Sequence, residues 1–336
     1  MAIRPGSSRA LAALGLALSL GACGVSQTLS RPRVWPGSAA THPGRGAGHL
    51  SVARDTAALP LNLLIAQSDG HLVSISPRGQ VVWRERQSDP GAVFVSRTGR
   101  TEIIAEPHES VIVLRRIDSG AVVYVYGRRG RPGRGADRLR DPQTALEDAS
   151  GEVVIADAGN CRVLFVTPNS HRPSRTVESP NGCPTAAFPA QGHELVITEQ
   201  QPAGILLLGG GAGPAARIAL HGVAAPSDAN AYAPDGVIVS DRTLPGRVVE
   251  LDPHTGAVVW SYGPRSGAGE LDRPSLARAL PDGDVLVVDT GNDRVIVIDR
   301  ASKAIVWQYG HAGVAASRPG YLDRPTSATL VPLGGV

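Results

Sequence analysis

A repeat of about 44 residues is the feature that most constrains what this chain can fold into. The segment Val258–Gly263 recurs as Ile305–Gly310, 47 residues further on, and Val122–Gly127 is an earlier copy. Val81-Val82-Trp83 begins a fourth copy, and Leu271-Asp272-Arg273-Pro274 returns as Leu322-Asp323-Arg324-Pro325 with the same period. Self-similarity at a fixed period is typical of repeat architectures, and this spacing predicts six units.

A full unit contains four short β-branched runs separated by turn residues. In the last full unit the runs are Ser275–Leu280, Asp284–Asp289, Arg294–Asp299 and Ala304–Tyr309, with Pro-Asp-Gly between the first two. Runs of this length joined by tight turns indicate antiparallel strands. With 40 Gly and 27 Pro among 336 residues, a protein of long helices is excluded. The sequence therefore predicts an all-β, six-bladed β-propeller with four-stranded blades.

The two ends of the repeat region complement one another. The first unit, Leu61–Arg86, has only three runs, whereas Thr326–Pro332, near the C-terminus, matches the first strand of a unit and nothing else. We expect this C-terminal strand to complete blade 1, because pairing the two chain ends removes an exposed sheet edge.

The N-terminus reads as an export signal. Arg4 and Arg9 precede an apolar run that is too short to span a bilayer, and the run leads into Leu20-Gly21-Ala22-Cys23. These four residues resemble the lipobox of bacterial lipoproteins, which implies acylation of the Cys23 thiol. The alternative is an ordinary signal peptide with a chance cysteine. The predicted division is a signal peptide over 1–22, a flexible tether over 23–58 and the propeller over 59–336, with the protein exported and anchored outside the cytoplasmic membrane or in the cell envelope.

Two motifs carry a resemblance to known repeat families. Asp157–Val163 and Asp289–Val295 look like the D-x-G-N-x-R-V core of NHL repeats, and Leu251–Trp260 resembles PQQ-like propeller repeats and the similar repeats of arylsulfotransferases. The resemblance implies a propeller. It implies no single function, because propellers carry many unrelated activities.

One polar residue per unit falls at the end of the second strand. The aligned positions are Gln67, Glu106, Asp157, Glu199, Asp241 and Asp289. One interpretation is an acidic ring at the channel mouth that binds a cation or a cationic ligand. The other is structural: each Asp accepts hydrogen bonds from the following turn and from an Arg five or six positions on, as in Asp157 with Arg162. Glu106 and Glu199 have no such Arg, which leaves a binding role more open for them.

An arginine-rich insertion, Gly127–Asp141, is expected on the same face. Arg128, Arg129 and Arg131 could clamp an anionic ligand, together with three further arginines. The alternative is a solvated, mobile loop, which the absence of interleaved aromatic residues favours.

Catalytic signals are sparse. His108 in Glu106-Pro107-His108-Glu109 is the one candidate for a general base or nucleophile, and a lone surface histidine is the simpler interpretation. Nothing matches metal-ligand spacing, and the sequence points to no cofactor.

Cys161 and Cys183 are the two cysteines downstream of Cys23. The topology predicts them on the loop face of neighbouring blades, and export would place them in an oxidising compartment. We therefore expect a disulfide between them, against the alternative of two free thiols.

Two classes of function remain from the sequence. The first is a lipid-anchored binding or scaffolding module that meets a protein or small-molecule ligand through its loop face; the second is a propeller enzyme of arylsulfotransferase, hydrolase or lyase type. The near balance of 33 basic and 30 acidic residues argues against nucleic-acid binding by bulk charge.

Overall fold

The structure is a computed structural model that describes residues 58–88, 90–179, 181–190, 193–209, 216–232 and 236–331. The predicted signal peptide, the tether and Cys23 lie outside the described residues. In the part that is described, the regular elements are 24 β-strands and two short 3-10 turns. None of the helical segments there has the length and apolar character that a bilayer crossing requires.

The strands form six four-stranded antiparallel sheets. In chain order the strands are β1 (Asn62–Gln67), β2 (His71–Ile75), β3 (Val81–Arg86), β4 (Ala92–Val95), β5 (Thr101–Glu106), β6 (Val111–Arg116), β7 (Val122–Gly127), β8 (Pro142–Glu147), β9 (Val153–Asp157), β10 (Arg162–Val166), β11 (Arg175–Glu178), β12 (Cys183–Ala190), β13 (His193–Gln200), β14 (Gly204–Leu208), β15 (Ala216–Ile218), β16 (Pro226–Tyr232), β17 (Gly236–Asp241), β18 (Arg247–Leu251), β19 (Val258–Tyr262), β20 (Leu276–Ala279), β21 (Val285–Asp289), β22 (Arg294–Ile298), β23 (Ile305–Gly310) and β24 (Pro325–Val331).

Blades 2 to 6 each take four consecutive strands, and blade 1 has the order β24-β1-β2-β3. The C-terminal strand β24 pairs with β1 from Asn62↔Val331 to Gln67↔Pro325. The predicted all-β, six-bladed propeller, closed by its C-terminal strand, is thus confirmed. The predicted runs of the last unit match β20 to β23 to within one residue at each end.

The core lies between neighbouring blades. The middle strands are buried along almost their whole length, because blades cover both of their faces; β9, β10, β21 and β22 have no half-exposed residue. The outer strands keep apolar residues in solvent, with Val122 and Val259 more than half exposed. This burial explains why the inner runs are continuously apolar and the outer runs are mixed.

Strand direction defines two faces. In every blade the second and fourth strands end at the same face of the propeller, and the loop to the next blade starts there. We call this the loop face. Asp157, which ends β9, pairs with Pro142 at the start of β8, and Asn62, at the other end of a second strand, lies on the opposite face.

Candidate functional site

The six polar residues that end the second strands are buried. Their exposed fractions are 0 or 1%. The structure places all six at the same level of the loop face but beneath its surface. A buried, unpaired carboxylate is strongly unfavourable, so the partners of these groups decide what the ring does.

Three of the carboxylates are paired with an arginine of the following strand. The Nε atoms of Arg162, Arg247 and Arg294 donate to Asp157, Asp241 and Asp289 over 2.7, 3.0 and 2.8 Å. Burial raises the pKa of Asp157 and of Asp289, while the hydrogen bonds and the guanidinium charge oppose this shift.

The same side chains hold the blade-to-blade loops. The backbone N–H groups of Arg140, Ala225 and Asp272 donate to Asp157, Asp241 and Asp289 over 2.8, 3.0 and 2.8 Å, and that of Asp323 donates to Gln67 over 2.8 Å. These bonds occupy the oxygens that a cation would need. The arrangement favours the structural interpretation of the ring.

Glu106 and Glu199 differ from what the sequence indicated, because both have an arginine partner. Arg129, from the insertion, donates to Glu106 over 2.5 Å, and Arg217, from the fourth strand of blade 4, donates to Glu199. Ser179 also donates to Glu199. The local motif missed these partners because they lie 23 and 18 residues away in the chain.

Hydrogen bonds hold the arginine-rich insertion in place, so it is not a loosely solvated loop. Arg162 donates to the backbone oxygens of Arg134 and Arg138 over 3.1 and 2.9 Å, and Asn160 donates to that of Gly133 over 2.7 Å. Leu139, within the insertion, is fully buried. Asn160 and Arg162 belong to the D-x-G-N-x-R motif of the blade that follows the loop. The composition of the loop itself therefore did not reveal these hydrogen bonds.

In blade 6 the same motif holds the preceding loop in the same way. Asn292 and Arg294 both donate to the backbone oxygen of Glu270 over 2.9 Å, and Arg294 also donates to that of Ala268 over 3.0 Å. The motif glycine fits closely against the same loop: a Cβ on Gly291 would lie 2.3 Å from the Asp272 carboxyl carbon. The NHL-like motif thus fixes the loop in front of it.

With its loops fixed, the loop face presents a basic surface. Exposed arginines occur in the loops that follow blades 2, 5 and 6 and in the loop between β17 and β18: Arg128, Arg129, Arg131, Arg134, Arg140, Arg242, Arg265, Arg273, Arg318 and Arg324. Five of the ten are paired with a carboxylate: Arg128, Arg129, Arg134, Arg273 and Arg324. Among the described acidic residues of these loops, most are only half-exposed, so arginines dominate the outer layer.

A pocket of about 370 Å³ opens on this face at the junction of blades 3 and 4. Arg134, Glu178, Asn181 and Gln201 line it. Cys161 and Cys183 also line it and are joined by a disulfide, with their Cα atoms 4.1 Å apart. The bond ties the turn after β9 to the first residue of β12, and so joins the two blades.

We predict that the mature protein contains this disulfide and no free thiol downstream of residue 23. The bond closes a loop of 22 residues, and in the chain-entropy model such a loop contributes about 3 kcal/mol to the free energy of unfolding. The measurement is a thiol titration of the unfolded, unreduced protein after the N-terminal region has been removed. Two reactive thiols would contradict the prediction.

The central channel is closed by side chains of the innermost strands. Phe94 of β4 and Phe188 of β12 meet edge to face with their ring centroids 5.5 Å apart. The Arg278 guanidinium of β20 lies 4.7 Å from the centroid of each ring. Arg278 Nε is buried and has no hydrogen-bond partner in the described part of the chain. Cation–π contacts with both rings hold the guanidinium in place.

Asp228 of β16 lies beside this plug and should make stability pH-dependent. Burial raises its pKa from 3.8 to about 7, against the opposing charge of Arg278 and hydrogen bonds from Ala277 and Asn230. Because the folded protein then holds a proton that the unfolded chain releases, stability should fall as pH rises from about 4 to about 7, by at most about 1.4 kcal/mol per pH unit.

Asp228→Asn removes this titration. As the pH rises through this range, the free energy of unfolding of the variant minus that of the wild-type protein should increase. Above this range the difference should be constant. Urea unfolding at a series of pH values measures the difference. A difference that does not change with pH would show that Asp228 is ionised throughout.

His108 is exposed in the turn between β5 and β6, on the loop face. His193 is the first residue of β13, and His311 lies on the loop face with its ring centroid 4.2 Å from that of Tyr321. In the ranges that the structure describes, no three His, Cys, Asp or Glu residues are grouped as a metal site.

Residues 244–324, from the loop before the third strand of blade 5 to the residue before β24, match a family model described as PQQ_2, outer membrane protein assembly factor BamB. This match and the arrangement of the blades bear out the resemblance to PQQ-like propellers. A comparison with curated protein sequences finds no significant match.

Solved structures show the same fold at low sequence identity. A protein of unknown function from Bacteroides caccae is 13% identical, with a TM-score of 0.61, over 81% of this chain and 99% of that one. A chain of a nidogen–laminin complex is 14% identical, with a TM-score of 0.62, over 81% and 98%. Virginiamycin B lyase from Staphylococcus aureus is 16% identical, with a TM-score of 0.53, over 74% and 80%. At these identities the likeness concerns the fold alone.

Proposed function

We propose that this PQQ-like propeller is a lipid-anchored, extracytoplasmic binding module that engages an acidic surface of a partner protein through its loop face. The observation that carries the proposal is the layer of exposed arginines on loops that buried side chains hold in place. A preorganised surface loses little conformational entropy on binding, and a surface of one charge sign selects a partner of the other.

The match to the BamB family model supports a scaffolding role, since that family is named for outer membrane protein assembly. The match covers only residues 244–324, so the partner itself does not follow from it. The chemistry of the loop face indicates a partner rich in Asp and Glu.

Charge reversal tests the role of the loop face. Arg131 and Arg265 are exposed, and neither takes part in the bonds that hold the loops. We expect Arg131→Glu combined with Arg265→Glu to abolish the protein's cross-links in intact cell envelopes. The matched control reverses Arg100 and Arg172, which are exposed on the opposite face. If both double variants retain the wild-type cross-links, the proposal is wrong.

The anchor is tested separately. We expect Cys23→Ser to move the protein from the membrane fraction to the soluble fraction, because the proposed acyl chains attach to that thiol. Mass spectrometry of the wild-type N-terminus should show the acyl groups. A Cys23→Ser protein that stays with the membrane, together with an unmodified wild-type Cys23, would contradict lipidation.

A further inference from the structure

A second pocket lies on the face opposite the loop face, where blades 1 and 2 meet. Its volume is about 230 Å³. It lies at the seam at which the chain closes, since Asn62 at the start of β1 and Val331 at the end of β24 both line it. It shares no residue with the arginine layer described above.

A buried carboxylate forms the polar end of this pocket. Glu102 of β5 is only 1% exposed, and its Oε2 accepts hydrogen bonds from Arg115 Nε and Nη2 over 2.8 and 2.5 Å. Its Oε1 has no hydrogen-bond partner in the described parts of the chain. Burial raises the pKa of Glu102, which shows that the group lacks the solvation that an ion requires.

When Glu102 is ionised, the charged groups around it carry one negative charge in excess. Arg115 pairs with Glu85 as well as with Glu102, so two carboxylates share one guanidinium. Asp118, which also lines the pocket, is paired with Arg116. The guanidinium groups of Arg115 and Arg116 are thus already paired with carboxylates, so the pocket does not offer them to an anion. A monovalent cation would restore neutrality.

Besides Glu102 and three further polar residues, the pocket is lined by apolar and aromatic side chains. Trp83, Ile117 and Leu64 line it, and Val82 stands beside it, 47% exposed to solvent. An indole ring favours the approach of an organic cation. A hard metal ion is disfavoured, because Ca²⁺ requires six to eight oxygen ligands and Mg²⁺ requires an octahedral set.

We propose that this pocket binds a small organic cation, whose ammonium or guanidinium group meets Glu102 Oε1 and whose apolar part lies against Trp83 and Val82. The volume equals that of roughly eight water molecules at about 30 Å³ each, which suits a ligand of about eight to ten non-hydrogen atoms. The site is independent of the proposed function, since it lies on the other face. A ligand there contacts both blades and stabilises the closing seam.

Phenethylammonium is a suitable probe, with phenethyl alcohol as the neutral molecule of the same shape and phenylacetate as the anion. With the full chain, we expect phenethylammonium to raise the melting temperature and to give saturable binding by calorimetry. The alcohol should bind at least about tenfold more weakly, which is about 1.4 kcal/mol, and phenylacetate should not bind.

Two variants test the location. Glu102→Gln should weaken phenethylammonium binding at least about tenfold. Val82→Arg adds a positive charge at the edge of the pocket without touching the buried triad, and should abolish binding even if Glu102→Gln fails to fold. Its matched control is Val123→Arg, because Val123 occupies the equivalent position on the outer strand of blade 2 and is 49% exposed.

The proposal is overturned if phenethylammonium causes no thermal shift, if the alcohol binds as well as the cation, or if Val82→Arg binds like Val123→Arg. None of these outcomes bears on the loop face, so the proposed function stands or falls separately.

Discussion

Deleting residues 326–336 should lower the free energy of unfolding by about 5 kcal/mol or more. The deletion removes β24 after its first residue, and with it the inner neighbour of β1. Val331 is buried, and a valine side chain contributes about 1.5–3 kcal/mol. The methyl group of buried Ala328 adds about 0.8 kcal/mol, and the lost backbone hydrogen bonds add about 1 kcal/mol each.

The strand also ties blade 1 to both of its neighbours. Ser327 Oγ accepts from the backbone N–H of Val93 in blade 2 over 2.8 Å, and Ser275 of blade 6 donates to the backbone oxygen of Thr326 over 2.9 Å. Thermal and urea unfolding measure the effect. The control deletes only residues 332–336, which takes nothing from β24. Equal melting temperatures for the longer deletion and the control would show that closure contributes little.

Arg294→Met should cost about 3–5 kcal/mol of stability, because it leaves a buried carboxylate without its counter-charge. Asp289 is fully buried, and Arg294 is 2% exposed. The same change frees the backbone oxygens of Ala268 and Glu270, to which Arg294 donates. Urea unfolding at pH 7 gives the magnitude.

Arg247→Met is the matched control, since the Arg247 side chain pairs with Asp241 but is 36% exposed, so that water can replace it. We expect a clearly smaller loss of stability for this variant.

Burial already raises the pKa of Asp289, and removal of Arg294 raises it further. The Arg294→Met defect should therefore shrink on acidification, as Asp289 takes up a proton. Equal losses in both variants at every pH would refute this account.

The architecture could be predicted from sequence because a propeller repeats the same local pattern. The Val-Val-Trp and Leu-Asp-Arg-Pro segments recur with the period of the blade, and the incomplete first unit predicted the closing strand. The aspartates of the D-x-G-N-x-R motif were assigned a partner correctly for the same reason: their arginines lie five residues away, within one hairpin.

The parts that could not be predicted depend on contacts between blades. Arg129 and Arg217 reach Glu106 and Glu199 from other elements, so a local motif does not reveal them. The channel plug combines Phe94, Phe188 and Arg278 from three non-adjacent blades. Those positions become neighbours only once the ring has closed, and no periodicity in the chain marks them.

The pairing of β24 with β1 also has a kinetic consequence. The hydrogen bond from Ser68 to Arg324 joins residues 256 positions apart, so blade 1 forms only after nearly the whole chain is available. Until then the inner edge of β1 is open to other strands, and such edges promote aggregation. Contacts of this sequence separation form slowly. For an exported chain, the ring would therefore close after translocation rather than during it, and a chain stopped before Pro325 would keep an open blade.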